Sequence, residues 1–424
     1  VLGIDFGTSN SAAALLDAQG QLCVMALDGD SAAMPTALFF SNETHTTLFG
    51  TQAMQAYLAG TEGRLMRAIK SLLGSPLMDE KTLVNGEQMS FFEIVVLFFK
   101  ELKARCEAQT RQPITHAMLG RPVHFVDDNP VRDALAQATL GRAATEAGFT
   151  HIDFQLEPIA AAFDFEQRVT KETLALVVDI GGGTSDFTVI RLGPARRHET
   201  QRSSDILATT GVHLGGTDFD RLLNLSHVMP LLGYKHIGKG GRQVPNSVFF
   251  DLTTWHLIHQ AYSRKNLHFA RELWTAYADP SLHARLMDVL EGHHGHRILA
   301  GVEAAKIDCS IAHHSAAVDL DFLYSPSQPQ NAVLMPLISP QSMGESLAQS
   351  LDQVVQCALQ CVRNAGVAAV EAVYLTGGSS ALQPLVDALQ VAMPQASLVQ
   401  GNRFGGVAAG LAYAGALTRY PPKD

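Results

Sequence analysis

Twice in this chain an apolar, strand-like run ends in an Asp-x-Gly turn, and a second short apolar run follows. The first is Val1-Leu-Gly-Ile-Asp5-Phe-Gly7-Thr8-Ser9-Asn10, continuing through Ser11–Leu16. The second is Leu176-Val-Val-Asp179-Ile-Gly181-Gly182-Gly183-Thr184-Ser185-Asp186, continuing through Phe187–Leu192. Apolar run, Gly/Thr/Ser turn, apolar run is the pattern of a β-hairpin. The two acids stand 174 residues apart. A chain that repeats such a hairpin at that distance is predicted to consist of two lobes of related design.

The rest of the pattern fits an α/β protein. Helices are predicted over Phe91–Gln109, Pro130–Ala147 (stopping before Gly148), Ala160–Val169, Pro340–Asn364, from Leu382, and over Val407–Leu417. Ala117–Leu119 and Ala372–Leu375 are strand candidates, and Thr210–Asp220 reads as a loop before a long, mostly helical stretch. Strands alternating with helices call for a sheet covered by helices. At 424 residues the chain is long enough for a core in each lobe. The division expected is 1–170 and 171–424, the second lobe carrying an extended helical insert at about 221–300.

Composition removes several function classes. The most apolar stretch, Phe91–Phe99, contains Glu93 and falls far short of the roughly 20 residues a membrane helix needs. A formal net charge of −10 argues against general binding to nucleic acid or to anionic membranes. Cys23, Cys106, Cys309, Cys357 and Cys361 are odd in number and irregularly spaced, which points to a reducing cytoplasm. Cys357 and Cys361, four apart on a predicted helix, are expected in the core. His293, His294 and His296 lack spaced partner ligands and read as loop histidines.

The two turns carry the chemistry. Phosphate oxygens need several donors at close range. Glycine admits the backbone without a Cβ, and successive N–H groups then form an anion-binding nest. Gly7 and Gly181–Gly183 meet that need, and Thr8, Ser9, Asn10 and Thr184 add polar side chains. Asp5 and Asp179 end strands beside the expected phosphates, where an acid is favourable only with a cation between. A Mg²⁺ ion held directly or through its waters meets that condition. Neither a Gly-x-x-x-x-Gly-Lys-Ser/Thr motif nor a Gly-x-Gly-x-x-Gly at a strand-to-helix junction is present. The phosphates are therefore expected between two hairpins. Lys70, with Arg64 and Arg67, reads from spacing alone as part of a basic helix face. Glu157 before Pro158 reads as a helix start, and Glu303/Lys306 as an i,i+3 pair.

Seven segments in order resemble the DnaK-type, seventy-kilodalton heat-shock chaperones, members of the actin-like ATPase superfamily. They are Gly3–Ser11, Ala68-Ile-Lys70-Ser-Leu-Leu-Gly74, Glu157-Pro158-Ile-Ala-Ala-Ala, Val178–Phe187, Leu214-Gly215-Gly216-Thr-Asp218-Phe-Asp220, Glu303-Ala-Ala-Lys306-Ile-Asp-Cys-Ser310 and Leu375-Thr-Gly377-Gly378-Ser379-Ser380. Within that family the chain resembles the small YegD-type group, which looks like a DnaK ATPase region without the rest. The resemblance implies a two-lobed actin-like fold of duplicated ribonuclease H-like lobes, ATP or ADP with Mg²⁺, and slow ATP hydrolysis coupled to lobe closure. It implies that Lys70 reaches the γ-phosphate, and that Glu157, Asp179 and Thr184 orient water and the Mg²⁺ shell, Asp5 helping to hold the ion. Gly215, Gly216, Glu303, Lys306, Ser310 and Gly377–Ser380 are implied to hold the nucleoside. A protein client or co-chaperone is the implied partner.

Two departures stand out. The family's base-stacking arginine after the adenosine turn is replaced by Ala381, and its Asn-Pro-Asp-Glu is replaced by Asn402-Arg-Phe404-Gly-Gly. Adenine selectivity is therefore expected to be loose. After the last predicted helix, Thr418–Asp424 includes Pro421 and Pro422, so no built-in peptide-binding domain is expected. The superfamily leaves two other readings, an actin-like filament protein and a small-molecule kinase.

Overall fold

The computed structural model describes every residue except 18, 127–128, 198, 200–201, 256, 324–333, 402–404 and 420–424; at 164, 418 and 419 it describes the backbone alone. The expectations placed on Asn402–Phe404 and on Pro421 and Pro422 lie outside the described residues. The chain forms two compact units. The first comprises Val1–His213, Gln356–Ser380 and Ala392–Asp424; the second comprises Leu214–Val355 and Ala381–Val391.

The first unit contains both predicted hairpins, each at the centre of a mixed sheet. In one sheet Leu2–Phe6 pairs antiparallel with Asn10–Leu16, which pairs antiparallel with Leu22–Val24. On its other side Leu2–Phe6 runs parallel to His116–Arg121, and that strand runs parallel to His151–Leu156. In the other sheet Thr173–Ile180 pairs antiparallel with Ser185–Leu192, which pairs antiparallel with Ile206–Val212. On its other side it runs parallel to Ala372–Thr376, and that strand runs parallel to Ser397–Gln400. The two sheets share one five-strand order, which is the duplication the paired turns predict. A strand flanked on both sides needs apolar residues on both faces. In Thr173–Ile180 both faces are buried: Leu176, Val178 and Ile180 on one and Ala175 and Val177 on the other are all at most 2% exposed.

Helices close the faces. Phe91–Thr110 starts at a capping box: Ser90 Oγ accepts from Glu93 N–H, and Glu93 Oε2 accepts from Ser90 N–H at 2.7 Å. Its Phe98 and Phe99 rings lie 5.7 and 5.1 Å from that of Phe6. Helix Glu157–Arg168 packs against Gly406–Arg419 so closely that a Cβ on Gly410 would lie 2.0 Å from Ala160 O, while Ala408 and Ala412 of the second helix pack on Ala12 and Ala14 of the first hairpin. At its C-terminal end Glu166 is fully buried and takes two bonds from Arg202, at 2.6 and 2.8 Å. Arg202 also donates to buried Asp205 at 2.7 Å, and Arg196 pairs with the same carboxylate.

The second unit is mainly helical, with Gly216–His227, Ser247–Thr253, Arg264–Glu272, Pro280–Glu291 and Gly295–Ala312 around buried Phe219, Phe249, Leu286 and Val302. The buried Tyr277 hydroxyl is satisfied in place: its Oη donates to Leu232 O at 2.8 Å. Three local expectations change. Thr210–Val212 completes a strand, and Gly216 already begins a helix, so the stretch read as a loop is only its middle. Arg64 and Arg67 lie on the strand Gly63–Arg67, paired with Ala37–Ser41, while Lys70 sits in the short 3₁₀ turn Ile69–Leu72. The intervening Ala68 is left-handed at φ 54°, and that turn ends any common helical face. The helix expected over Ala160–Val169 runs Glu157–Arg168, so that Glu157 opens it, as its place before Pro158 predicts. Among the described residues no helix is long and apolar enough to cross a membrane.

Candidate functional site

The site of the first unit begins with the register of its hairpins. Asp5 is one residue before the end of its strand and pairs with Ala12; Asp179 holds the same place in its own strand and pairs with Asp186. The first turn is braced from behind. Thr36 Oγ1 donates to Gly7 O at 2.8 Å, Thr36 N–H donates to Ser9 O at 2.8 Å, and Ser11 Oγ lies 2.8 Å from Thr36 Oγ1. The second turn closes on itself. Gly181 N–H donates to Thr184 O at 2.9 Å, and Thr184 Oγ1 donates to Asp186 Oδ2 at 2.9 Å. The two turns meet, since a Cβ built on Gly182 would lie 1.9 Å from Ser9 Oγ. Only glycine fits there without displacing the serine.

Lys70 reaches into this region. Its Nζ is 2.9 Å from Glu157 Oε1, and the two side chains are 12% and 13% exposed. Burial alone would lower the Lys70 ammonium, but Glu157, Asp5 and Asp179 outweigh it and hold it above its ordinary value. The acids respond in the opposite way. Burial first, then the Glu157 carboxylate, place Asp5 at about 7 against the pull of Lys70. Burial, then Asp186, Glu157 and Asp5, push Asp179 to about 8. One ammonium thus faces three half-buried carboxyl groups, those of Glu157, Asp5 and Asp179.

A third turn buttresses Asp179. Thr376 pairs with Asp179 across the parallel strands, and Ser379 N–H donates to Ile180 O at 3.1 Å. Gly377 has φ +83°, and a Cβ there would lie 2.3 Å from Asp179 Oδ1, so both its conformation and the approach require glycine. Ser380 Oγ donates back to Gly377 O at 2.8 Å. Beside the carboxylates lies a cavity of about 730 Å³ lined by Glu157, Asp179, Asp186, Thr188, Thr210 and Thr376, among others. Among the described residues no three His, Cys, Asp or Glu side chains converge to ligate one ion directly. The donor set nonetheless suits a divalent cation bound through water, because it carries an excess of half-buried acidic groups beside a backbone cradle.

The nucleoside candidates of the second unit gather separately. Lys306 Nζ lies 2.7 Å from Asp220 Oδ1, each side chain 8% exposed, and 3.5 Å from Gly216 O. Gly215 N–H donates to Asp218 Oδ2 at 3.1 Å. Ser310 Oγ donates to Lys306 O of its own helix at 2.8 Å, and Glu303 is exposed on that helix. His293 stacks on Tyr262 at 4.3 Å, and His296 Nε2 lies 3.2 Å from Trp255 O, so these histidines are engaged with aromatic neighbours. Cys361 is buried, as expected, and Cys357 is half-buried. The motif reading omitted Asp186, Thr36 and Thr376. Asp186 was detectable, two residues beyond Thr184 in the same turn. Thr36 and Thr376 become neighbours of the site only through strand pairing.

The Hsp70 protein family model matches residues 1–235. The chaperone protein DnaK of Endomicrobium trichonymphae is 31% identical over 228 residues, which are 53% of this chain and 34% of the relative. That of Elusimicrobium minutum is 30% identical over 228 residues, with the same coverage. That of Thermotoga maritima is 31% identical over 225 residues, 53% of this chain and 35% of the relative. The class that the fold and the match define is the actin-like ATPase fold of mixed α/β content. The chain belongs to the Hsp70 family, a family of nucleotide-binding chaperones. It spans about a third of the length of the curated relatives it matches.

Proposed function

We propose that this chain binds ATP and ADP with Mg²⁺ and hydrolyses ATP slowly, as the nucleotide-driven part of a cytoplasmic chaperone system with a protein client or co-chaperone as partner. The observation that carries the reading is the pair Lys70–Glu157 held over Asp5 and Asp179, beneath two glycine turns in contact. A bound Mg²⁺·ATP would supply the transferable phosphoryl group and the positive charge that this excess of carboxylate lacks.

The chain's own residues divide the work. The backbone N–H groups of 7–9 and 182–183, with the Thr8, Ser9, Asn10 and Thr184 side chains, cradle phosphate oxygens. Asp5, Asp179 and Glu157 hold the waters of the ion's shell. Lys70, fixed by Glu157, places a full positive charge where negative charge develops on the phosphoryl oxygens. That kind of preorganised stabilisation is the main resource in phosphoryl transfer. Glu157 and Thr184 orient the attacking water. Gly377–Ser380 hold Asp179 in place and back the nucleoside. In the second unit, Glu303, Lys306 and Ser310, with Gly215–Gly216 at the start of the helix Gly216–His227, are the candidates for nucleoside contact. The test combines calorimetry of ATP·Mg²⁺ and ADP·Mg²⁺ with single-turnover phosphate release. Binding without turnover would make the chain a nucleotide sensor; no heat with either nucleotide would overturn the reading.

A further inference from the structure

The stretch 221–300 plays no part in the nucleotide reading, and the family match ends at residue 235. Its charge is uneven. From Arg221 to Phe250 there is no Asp or Glu, yet Arg221, Lys235, Lys239 and Arg242 lie there, in a chain of formal net charge −10. The last three cations sit on or beside one loop, and the loop is built. Ile237 and Gln243 form a bridge, Gly238 N–H donates to Arg242 O at 2.9 Å, and Val244 N–H donates to His236 O at 3.0 Å.

The base of the loop is pinned to the segment 274–278. The His236 ring stacks on Tyr277 at 5.9 Å, and Ala278 N–H donates to His236 Nε2 at 3.3 Å. Gly238 runs so close that a Cβ there would lie 1.6 Å from Ala276 O. The tip is different: nothing lies within 4 Å of a Cβ built on Gly240 or Gly241. It stands in solvent on a fixed foot. At that foot Ile237 is 58% exposed and Trp274 is 61% exposed, and Lys239 Nζ lies 5.7 Å from the Trp274 ring centre.

An exposed tryptophan beside an exposed isoleucine, rimmed by lysine and arginine, has the composition of an interface centre. We propose that the 236–243 loop and Trp274 form a docking surface for an acidic peptide segment of a partner protein, one with a bulky apolar side chain among its carboxylates. Charge complementarity sets the partner's sign. Lys235, Lys239 and Arg242 meet carboxylates at the rim, and Ile237 and Trp274 receive the apolar anchor. Single-stranded nucleic acid fits less well. It gains from long basic tracks and several exposed stacking rings, whereas here there are three cations, one exposed ring, Trp274, besides half-buried Tyr234 under Lys235, and an acidic chain around them.

The test uses the full chain and a fluorescein-labelled 12-residue peptide of Asp and Glu around a central Leu-Phe pair. Fluorescence anisotropy is expected to show micromolar binding that weakens with salt. It should fall at least tenfold in Trp274→Ala and in the double variant Lys239→Glu/Arg242→Glu. A matched peptide with Lys in place of the acids should not bind. The double variant changes only exposed side chains, so it stands even if Trp274→Ala folds poorly. No binding of the acidic peptide, binding unchanged in the double variant, or tighter binding of a 12-nucleotide single-stranded RNA would overturn the proposal. ATP binding is measured alongside and is expected to be unchanged in these variants, which separates this surface from the nucleotide site.

Discussion

Lys70 Nζ lies 2.9 Å from Glu157 Oε1 although the two residues are 87 positions apart, and both side chains are almost wholly enclosed. An ion pair in that setting has given up water on both sides, and each partner fixes the other. The pair also explains why the lysine points inward. The left-handed Ala68 turns the chain after the Gly63–Arg67 strand and directs Lys70 away from the basic residues before it.

Lys70→Ala is expected to lower ATP turnover about 10²–10³-fold, the usual cost of removing one preorganised charge from a transition state. Nucleotide affinity should change much less, because the turns provide most of the phosphate donors. Single-turnover hydrolysis with parallel calorimetry separates the two effects. Equal turnover in wild type and variant would remove Lys70 from the chemistry.

The raised carboxyls predict a pH dependence. Asp179 is at about 8 in the folded chain, above its ordinary value of 3.8. Between those values the folded state holds a proton that the unfolded chain has released, so this group's contribution to stability declines as pH rises through the window. Asparagine cannot ionise. In Mg²⁺-free buffer with chelator, Asp179→Asn should melt like wild type near pH 5 and a few degrees higher near pH 8. That gain is on the order of 1–3 kcal/mol, the scale for relieving a poorly satisfied buried polar group. Subtracting the variant's melting curve from that of wild type isolates the effect from other titrating groups. A melting difference that stays flat with pH would mean that Asp179 is ionised and paired throughout.

The hairpins were legible because their signals are local: an apolar run, an acid, then Gly, Thr and Ser within ten residues. The strand Ile206–Val212 was not, since Ala208, Thr209, Thr210 and Gly211 dilute its apolar pattern, and its place at a sheet edge leaves it half-buried. Arg64, Arg67 and Lys70 imitate a helix face by their spacing of three. Only the pairing of Gly63–Arg67 with Ala37–Ser41 shows that two of them are on a strand. The approach of Lys306 to Asp220, 86 residues away, likewise leaves no local trace. The motif flagged both residues but not their contact.

The network at the end of helix Glu157–Arg168 predicts a large stability effect far from the nucleotide candidates. Arg202 is 4% exposed and bonds two carboxylates that are fully buried, Glu166 and Asp205. Arg202→Ala leaves Glu166 charged without its cation in a dry setting, while Asp205 keeps Arg196, and should destabilise the chain by about 3–5 kcal/mol. The cooperative melting transition should move down accordingly. The double variant Arg202→Met/Glu166→Gln removes that pair of charges together, leaves Asp205 with Arg196, and should recover much of the loss. A melting temperature unaffected by Arg202→Ala would show that water reaches these groups.

The contact between the two turns supports the last prediction. A Cβ on Gly182 would stand 1.9 Å from Ser9 Oγ and 3.1 Å from Ser9 Cβ. In Gly182→Ala the serine hydroxyl can rotate away, but the turns must still separate by a few tenths of an ångström. The fold should survive, because no backbone atom blocks the new methyl. What suffers is the spacing of two sets of phosphate donors, so ATP affinity is expected to fall about tenfold, or ~1.4 kcal/mol. The double variant Ser9→Gly/Gly182→Ala tests the cause. It removes the obstacle together with one hydroxyl donor. If crowding is the defect, the second change should cost less in the Gly182→Ala background than Ser9→Gly costs alone. Strictly additive losses by calorimetry would mean that the turns do not touch in solution, and that the phosphate site is more open than this structure has it.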